Sequence, residues 1–130
     1  MKLVYLCGGI NGLTDAEAND WRTEAKQLLE QKGIAWLDPM RRDYRGNEDA
    51  MYKGIVAADM EDIRHCTALL VNATRPSWGT AMEVWHAAHP FFQEEKKLVY
   101  AFVGDARVSP WLRVCCGGIY KTLAEAVGAL

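Results

Sequence analysis

The stretch A-L-L-V-N-A-T-R-P-S-W-G-T-A-M-E, residues 68 to 83, passes from an apolar run through a polar turn into a helical pattern. The run Ala68 to Val71 is typical of a strand buried in a protein core. Thr74 to Trp78 forms the turn, and Glu83 lies just inside the helix that follows. A carboxylate buried at such a junction costs several kcal/mol unless a partner or a reaction compensates for it. The stretch therefore predicts a core strand whose carboxyl end leads to a functional group.

Strand and helix patterns alternate along the rest of the chain. We predict further strands at residues 2–7, 34–37, 98–103 and 117–120. We predict helices from Thr14 to Gln31, from Asp49 through Ile63, from Gly79 to Phe92, over residues 109–116 as one short turn, and after Thr122. Residues 39–49 are polar and form the longest expected loop, and loops of this length inside a compact domain are usually functional.

Particular side chains mark the ends and faces of these helices. Thr14 with Glu17, and Thr122 with Glu125, have the spacing of a capping box. Asp49 is the expected cap of the second helix. The buried stripe of that helix is predicted to contain Ile55, Val56, Met60 and Ile63.

The alternation predicts an α/β fold, a doubly wound, flavodoxin-like sheet of five parallel strands with helices on both faces. A chain of 130 residues with 50% apolar content suits one domain, residues 1–130, around a single core. In such sheets ligands bind beyond the carboxyl ends of the strands, where the winding reverses. The loops after the first and third strands, Gly8 to Leu13 and Thr74 to Trp78, are expected to meet there.

Charge and composition argue against several classes of partner. The net charge of -2 gives no broad footprint for a nucleic acid polymer or an anionic membrane. No apolar run approaches the roughly 18 residues that span a bilayer, and the first residues read as a strand, so we expect a cytoplasmic protein. The cysteines contain no C-x-x-C pair, and His86 and His89 have no acidic or thiol partner at a familiar spacing. We therefore expect no metal site.

Two carboxylates are expected at the carboxyl edge of the sheet. Glu83 follows the third strand, and Asp59 lies on the helix before it. Two carboxylates across a sugar-sized gap suit the cleavage of a glycosidic bond, one as the nucleophile and one to assist the leaving group. Tyr5, near the end of the first strand, has a hydroxyl that can orient Glu83 by a hydrogen bond. Asp62, three residues after Asp59, is expected to be a solvated bystander.

Three motifs in this order resemble those of a known enzyme family. They are Y-L-C-G-G-I-N-G at 5 to 12, A-A-D-M-E-D-I at 57 to 63 and P-S-W-G-T-A-M-E-V at 76 to 84. The set is similar to the nucleoside 2-deoxyribosyltransferase family, and the similarity runs from Met1 to about Arg113. That family includes transferases that exchange bases on deoxyribose and hydrolases that cut the N-glycosidic bond of nucleoside 5'-monophosphates.

The resemblance implies a role for each candidate catalytic residue. Glu83 matches the family nucleophile, which attacks the anomeric carbon and forms a glycosyl-enzyme intermediate. Asp59 matches the acidic residue that assists the leaving base. Tyr5 matches the tyrosine that positions the nucleophile.

The resemblance also implies substrate-binding serines. Ser77 stands where base-exchanging transferases tend to have an aspartate and where the 5'-monophosphate hydrolases have a phosphate-binding serine. Ser109 resembles a second phosphate serine, which the hydrolases supply from a neighbouring subunit. These two serines favour a nucleotide substrate and a homodimer or higher homo-oligomer.

The loop after the first strand departs from the resembled hydrolases. Gly9 and Asn11 stand where those enzymes carry a serine and an arginine for the phosphate. The backbone N–H groups of Gly8 to Gly12 and the helix start at Gly79 are then the expected phosphate donors, with Arg41, Arg42 or Arg75 as the candidate cations. Trp78, at the mouth of the crevice, is expected to stack on a base or to cover a subunit contact. The loop after the second strand contains Arg41, Arg42 and Arg45. Either all three are solvated, or one of them closes over the ligand.

These observations predict an enzyme without a cofactor that cleaves the N-glycosidic bond of a 2'-deoxynucleoside or its 5'-monophosphate by double displacement. Glu83 attacks, and the sugar passes to water or to another base. The sequence leaves the base and the acceptor open. An alternative is a non-catalytic nucleotide-binding module on the same scaffold, which needs the glycine loop and Ser77 but not Glu83. A plain interaction protein would instead use the five tryptophans as interface anchors.

Overall fold

The computed structural model describes residues 2–90 and 95–130. Within these ranges, five parallel strands form one sheet: β1 (Leu3–Cys7), β2 (Ala35–Leu37), β3 (Ala68–Asn72), β4 (Leu98–Phe102) and β5 (Gly118–Tyr120). Their order across the sheet is β2-β1-β3-β4-β5. The winding therefore reverses between β1 and β3, which confirms the predicted doubly wound, flavodoxin-like arrangement.

Helices cover both faces of this sheet, as predicted. They are α1 (Asp15–Gln31), α2 (Glu48–His65), α3 (Trp78–Ala88), α4 (Pro110–Cys115) and α5 (Leu123–Gly128), with a 3-10 turn at Pro39–Arg41. The helices α1 and α5 share one apolar cluster with strand residues such as Leu6 and Leu70. The helices α2, α3 and α4 share the other cluster with strand residues such as Leu69 and Val71. Because alternate strand residues enter opposite clusters, the central strands are buried on both sides.

Local hydrogen bonds confirm the predicted helix starts at two places. Thr14 and Glu17 form the complete capping box at the start of α1. The hydroxyl of Thr122 accepts a hydrogen bond from the backbone N–H of Glu125 at the start of α5. No helix in the described ranges has both the length and the apolar content needed to cross a bilayer.

Several predicted boundaries differ from the structure. The helix α2 begins at Glu48 behind the N-cap Asn47, so the prediction of Asp49 as the cap is wrong. The Asp49 side chain lies in the first turn of α2, where its negative charge interacts favourably with the positive end of the helix dipole. The helix α3 ends at Ala88, and the predicted end at Phe92 falls outside the described residues.

The predicted buried stripe of α2 is only partly correct. Ile63 is buried, whereas 59% of Val56 is exposed. The helix does not lie flat on the sheet along its whole length. Its first half instead forms the wall of a cavity, and Val56 lies on that wall.

Candidate active site

A cavity of about 270 Å³ lies at the carboxyl ends of β1 and β3, where the winding reverses. It brings together six of the residues expected at this edge: Gly8, Asn11, Asp59, Ser77, Gly79 and Glu83. The loop after β1, the helix α2 and the first turns of α3 each supply part of its wall. The two carboxyl groups singled out from the sequence therefore share one cavity.

A second cavity of about 290 Å³ adjoins the first and shares Asn11, Ser77 and Gly79 with it. Gly9 and Trp78 lie on the wall of this second cavity. The Trp78 side chain is 83% exposed. Its indole is thus available to a ligand or to another protein surface.

Ser109 lies on neither cavity wall within this chain. Its hydroxyl caps α4 by accepting a hydrogen bond from the backbone N–H of Trp111, with N and O 3.2 Å apart. Ser77 caps α3 in the same way, with 3.4 Å between its Oγ and the Thr80 nitrogen. The two serines are therefore equivalent in local structure but not in their place relative to the cavity.

Glu83 lies one turn into α3 and turns its carboxyl group inward. Its Oε2 atom is buried and has no hydrogen-bond partner among the described residues. Burial raises the pKa of Glu83 from 4.5 to about 8, a side-chain hydrogen bond with Tyr5 lowers it, and the negative charge of Asp59 raises it. An unpaired buried carboxyl oxygen is costly, which is typical of a group that awaits a ligand.

Tyr5 lies beneath Glu83 in β1, and only 1% of it is exposed. Burial raises the pKa of the Tyr5 hydroxyl well above its usual value, and the nearby charge of Glu83 adds to this effect. The hydroxyl consequently keeps its proton over the whole physiological range. It is a permanent donor for the hydrogen bond with the Glu83 carboxylate.

Asp59 faces the same cavity from α2, with 20% of its side chain exposed. Burial raises its pKa, and the positive charge of Arg42 acts in the opposite direction. The Arg42 Nη2 atom lies 3.3 Å from Asp59 Oδ1. A carboxyl group with a raised pKa beside an open cavity is suited to hold and deliver a proton.

Asp62 is not the solvated bystander that the sequence predicted, because it is only 7% exposed. Its two oxygens accept hydrogen bonds from Arg41 at 2.7 Å and from Arg42 at 2.8 Å. Although burial opposes the change, these hydrogen bonds lower the pKa of Asp62. Asp62 therefore anchors the arginine that also binds Asp59.

The loop after β2 supplies part of the cavity wall, as the length and polarity of residues 39–49 indicated. Of the three loop arginines considered from the sequence, Arg42 and Arg45 line the cavity and Arg41 does not. Arg45 is held by Asp15 at 2.6 Å and Asp43 at 2.7 Å. Tyr44 from the same loop and Tyr52 from α2 also line the cavity, and the sequence did not single them out.

The glycine after β1 fits closely against α1. A side-chain carbon at Gly8 would lie 2.7 Å from Cζ2 of Trp21, too close for any residue but glycine. The backbone of the loop can therefore approach both α1 and the cavity. Among the described residues, no group of three or more histidine, cysteine, aspartate or glutamate side chains comes together in a way that would hold a metal ion.

The arrangement has the parts needed for chemistry at an anomeric carbon. Glu83, one of whose carboxyl oxygens has no hydrogen-bond partner among the described residues, lines the cavity together with Asp59, whose carboxyl group is paired with Arg42. One of the two carboxyl groups can attack while the other transfers a proton. The tyrosine hydroxyl and the paired arginine hold these two groups in place.

Comparison with known proteins identifies the family of this chain. The sequence profile of the family described as nucleoside 2-deoxyribosyltransferase matches residues 4–121. The match includes β1, α2, β3 and α3, which carry the two carboxyl groups and the tyrosine. No curated protein sequence matches the chain significantly.

Solved structures with the same fold have little sequence in common with this chain. A 2-deoxyribosyltransferase from Bacillus psychrosaccharolyticus is 13% identical, with a TM-score of 0.75 over 96% of this chain and 90% of the other. A 2-deoxyribosyltransferase from Leishmania mexicana is 18% identical, with a TM-score of 0.69 over 99% and 96%. A CMP N-glycosidase from Clostridium botulinum is 17% identical, with a TM-score of 0.60 over 98% and 97%. At these identities the likeness concerns the fold.

Proposed function

Because the chain belongs to the nucleoside 2-deoxyribosyltransferase family, we propose that it cleaves the N-glycosidic bond of a 2'-deoxynucleoside or its 5'-monophosphate through a covalent intermediate on Glu83. Membership of this family makes the chain an enzyme of the deoxyribosyltransferase and N-glycosidase kind. The proposal adds the residues that carry the reaction and the class of substrate. It is supported by the placement of Glu83 and Asp59 on the wall of one cavity, with the buried Tyr5 hydrogen-bonded to Glu83.

In the first half of the proposed reaction, a carboxylate oxygen of Glu83 forms a bond to C1' of the sugar. The bond between C1' and the base nitrogen breaks, and its electron pair leaves with the base. Asp59 delivers a proton to the base and becomes a carboxylate. Tyr5 holds the attacking carboxylate in position through its hydrogen bond.

In the second half, water or a second base attacks C1' and releases Glu83. Asp59 now accepts the proton that the incoming group loses, so that both carboxyl groups return to their starting states. Water gives a hydrolase, and a second base gives a transferase. The choice depends on which of the two reaches C1' while the intermediate lasts.

The single observation that carries this proposal is the buried Oε2 atom of Glu83, which has no hydrogen-bond partner among the described residues although its residue lines the cavity. A surface glutamate would place both oxygens in water. A structural buried glutamate would have both oxygens paired, because an unsatisfied buried oxygen costs about 1 to 3 kcal/mol. In the proposed reaction, bond formation with a sugar carbon bound in the cavity compensates for this cost.

The adjoining cavity favours a substrate with a negatively charged 5' group. The start of α3 opens onto it, and the free N–H groups of a helix start attract anions. Arg75 lies on the same wall and is paired with Glu17 at 2.6 Å. Asn11, Ser77 and Gly79 line both cavities, so one substrate can reach from Glu83 into this region. We therefore favour the 5'-monophosphate over the free nucleoside.

We test the activity by incubating the protein with each common 2'-deoxynucleoside and 2'-deoxynucleoside 5'-monophosphate, and with ribonucleotides for comparison. Chromatography should detect a released base for at least one deoxy substrate, and more of it for the monophosphate. Addition of a second free base distinguishes hydrolysis from exchange, since exchange produces a new nucleoside or nucleotide. The absence of both reactions for every substrate would refute the proposed function.

We also propose that the protein forms a homo-oligomer through α3 and α4. Exposed apolar side chains lie on these two helices: Trp78, Met82, Trp85, Trp111 and Val114. The rings of Trp85 and Trp111 lie 5.7 Å apart, which makes the exposed surface continuous between the helices. Monomeric proteins rarely expose such a patch. The face also carries Ser109 and adjoins the cavity at Trp78, so a second copy bound here would lie beside the site.

Trp111→Glu is expected to shift the protein toward a monomer, because a carboxylate replaces a tryptophan that is 72% exposed on this face. Sedimentation velocity at micromolar concentration measures the change. Met51→Glu is the matched control, since it makes the same kind of change at an exposed apolar position on α2. A wild-type protein that sediments only as a monomer would contradict the proposed oligomer, as would equal dissociation by both variants.

A further inference from the structure

We propose that Arg22 is a positioning residue for the loop that begins at Gly8, whose backbone it holds at the edge of the cavity that Glu83 and Asp59 line. The proposal rests on the proposed function, because it assigns to Glu83 the attacking role. Arg22 lies on α1 and lines neither cavity. It therefore acts through other groups and not by touching the substrate.

Arg22 is a cation in the core, with only 1% of the residue exposed. Its Nη2 atom donates to the carbonyl oxygen of Gly8 at 3.1 Å and, more weakly, to that of Leu6 at 3.4 Å. Its Nη1 atom donates to the carbonyl oxygen of Ala18 at 2.5 Å. These contacts fix the last residues of β1 and the first residue of the loop that lines the cavity.

The opposite side of Gly8 is also closed by α1. The ring of Trp21 lies so close that a side-chain carbon at Gly8 would be 2.7 Å from Cζ2. The Arg22 guanidinium lies over the Trp21 ring, 4.7 Å from its centroid. Gly8 is thus held by a hydrogen bond on its carbonyl and by an aromatic ring on its Cα, which leaves its backbone little freedom.

A chain of ion pairs leads from Arg22 to the second carboxyl group of the site. The Nε atom of Arg22 lies 3.3 Å from Asp38 Oδ1, and Asp38 is itself buried. The carbonyl oxygen of Asp38 accepts a hydrogen bond from Arg41 at 3.0 Å. Arg41 and Arg42 both bind Asp62, and Arg42 binds Asp59. Arg22 therefore connects the loop beside Glu83 to the residues that orient Asp59.

Lysine is not equivalent to arginine at this position. Two guanidinium nitrogens donate to the carbonyl oxygens of Ala18 and Gly8, while the Nε atom lies 3.3 Å from Asp38 as an ion pair without a hydrogen bond. A lysine has a single nitrogen on a flexible stem and cannot repeat this fork. A change to lysine thus keeps the charge but loses the hold on Gly8, which separates the two effects of Arg22.

Charged and titratable groups from three elements face Glu83. Tyr5 and Cys7 face it from β1, Asp59 and Asp62 from α2, and Arg22 from α1. Burial raises the pKa of the Glu83 carboxyl to about 8, while the hydrogen bond with Tyr5 and the charge of Arg22 lower it. The two aspartates act in the opposite direction to Arg22. Removal of the Arg22 charge should consequently make Glu83 harder to ionise.

The test compares three variants in the base-release assay. Arg22→Lys keeps the charge and loses the fork. The double variant Arg22→Met with Asp38→Asn removes both buried charges together, because removal of one partner alone would leave the other unpaired. Lys26→Met is the matched control, since Lys26 also binds Asp38, at 2.6 Å, but makes no contact with Gly8. Thermal unfolding measures the folded fraction of each variant.

We expect Arg22→Lys to lower kcat about tenfold or more with little change in KM, because the substrate does not touch Arg22. In the double variant we expect the limb of the kcat/KM profile near pH 8, where Glu83 loses its proton, to move upward by about one pH unit. Lys26→Met should leave both quantities close to those of the wild type.

A wild-type kcat in folded Arg22→Lys would overturn the proposal, as would a double variant whose limb near pH 8 stays at the wild-type pH. If the double variant does not fold, the kcat and KM of Arg22→Lys decide the question. Failure of the proposed function is recognised separately, because the wild type would then release no base under any condition. Activity in the wild type with no effect of Arg22 would refute only the positioning role.

Discussion

Glu83→Gln is expected to abolish base release and, at pH 8, to make the protein more stable than the wild type. The amide fills the same space but cannot attack C1' as a carboxylate does. We expect kcat to fall on the order of 10³-fold or more. The covalent intermediate is lost with it. A rapid quench of the wild type with substrate should show intact protein that carries an added sugar, and the variant should show none.

The gain in stability follows from the pKa of Glu83, which is 4.5 in an unfolded chain and about 8 in the folded protein. Below pH 4.5 the Glu83 carboxyl is protonated in both the folded and the unfolded state, so its ionisation does not change the free energy of unfolding. As pH rises from about 4.5 to about 8, the unfolded state loses the proton first, so the free energy of unfolding falls. Glutamine has no proton to lose. The variant should therefore gain roughly 2 to 4 kcal/mol over the wild type at pH 8, and this gain should vanish near pH 4.

Chemical denaturation of both proteins between pH 4 and pH 9 measures this difference directly. Glu61→Gln is the control, because Glu61 is exposed and a hydrogen bond from Arg64 lowers its pKa. The same substitution there should give no gain at high pH. An equal stability of Glu83→Gln and wild type at every pH would show that the Glu83 carboxyl is not held in a costly environment.

The same pKa also determines the pH dependence of the wild-type activity. Glu83 must be a carboxylate to attack, and in the empty site it is largely protonated below about pH 8. Asp59 must keep its proton in the same enzyme form, because it delivers that proton to the base. Since Glu83 has the higher pKa of the two, we expect the profile of kcat/KM against pH to be bell-shaped, with its basic limb near pH 8, where both carboxyl groups have ionised. Initial rates at low substrate concentration across buffers of equal ionic strength provide the profile.

Local and periodic features of this chain were predictable from the sequence. The capping box of Thr14 and Glu17 needs only residues that are neighbours on the chain. The strand order follows from the alternation of strands and helices, because right-handed crossovers leave few ways to arrange them. Glu83 and Asp59 were predicted to share a site for the same reason, since the carboxyl ends of β1 and β3 are adjacent once the order is known.

The ion pairs around the cavity were not predictable in this way. Asp62 reads as one more acidic residue on a polar helix face, and its burial depends on Arg41 and Arg42 from a loop about 20 residues earlier. Nothing in the local spacing specifies that contact. Arg22 is different, because it lies in the buried stripe of α1 with Ala18, Ala25 and Leu29. A cation at helical spacing between small apolar residues is a signal that a buried partner exists.

Asp59→Asn is expected to lower kcat about 10²- to 10³-fold, because the base must then leave without a proton from the protein. The loss should be greatest for bases that are poor leaving groups, namely those whose released anion is most basic. Asparagine can still accept a hydrogen bond from Arg42, which also remains bound to Asp62. The cavity wall should therefore keep its shape, and thermal unfolding should show a folded protein.

The shape of the pH profile distinguishes this loss from general damage to the site. Without Asp59 no proton has to be retained, so the basic limb of the kcat/KM profile should be lost and kcat/KM should rise with pH as Glu83 ionises. The midpoint of this rise should lie below pH 8, because the negative charge of Asp59 no longer raises the pKa of Glu83. Disruption of the Arg22 contacts would instead keep the basic limb and move it to higher pH. Asp49→Asn is the matched control, because it makes the same change at an exposed position on α2 away from the cavity. A folded Asp59→Asn protein with wild-type kcat for every base, or with the basic limb retained, would remove Asp59 from the proposed mechanism and leave Glu83 to act without an acid partner on α2.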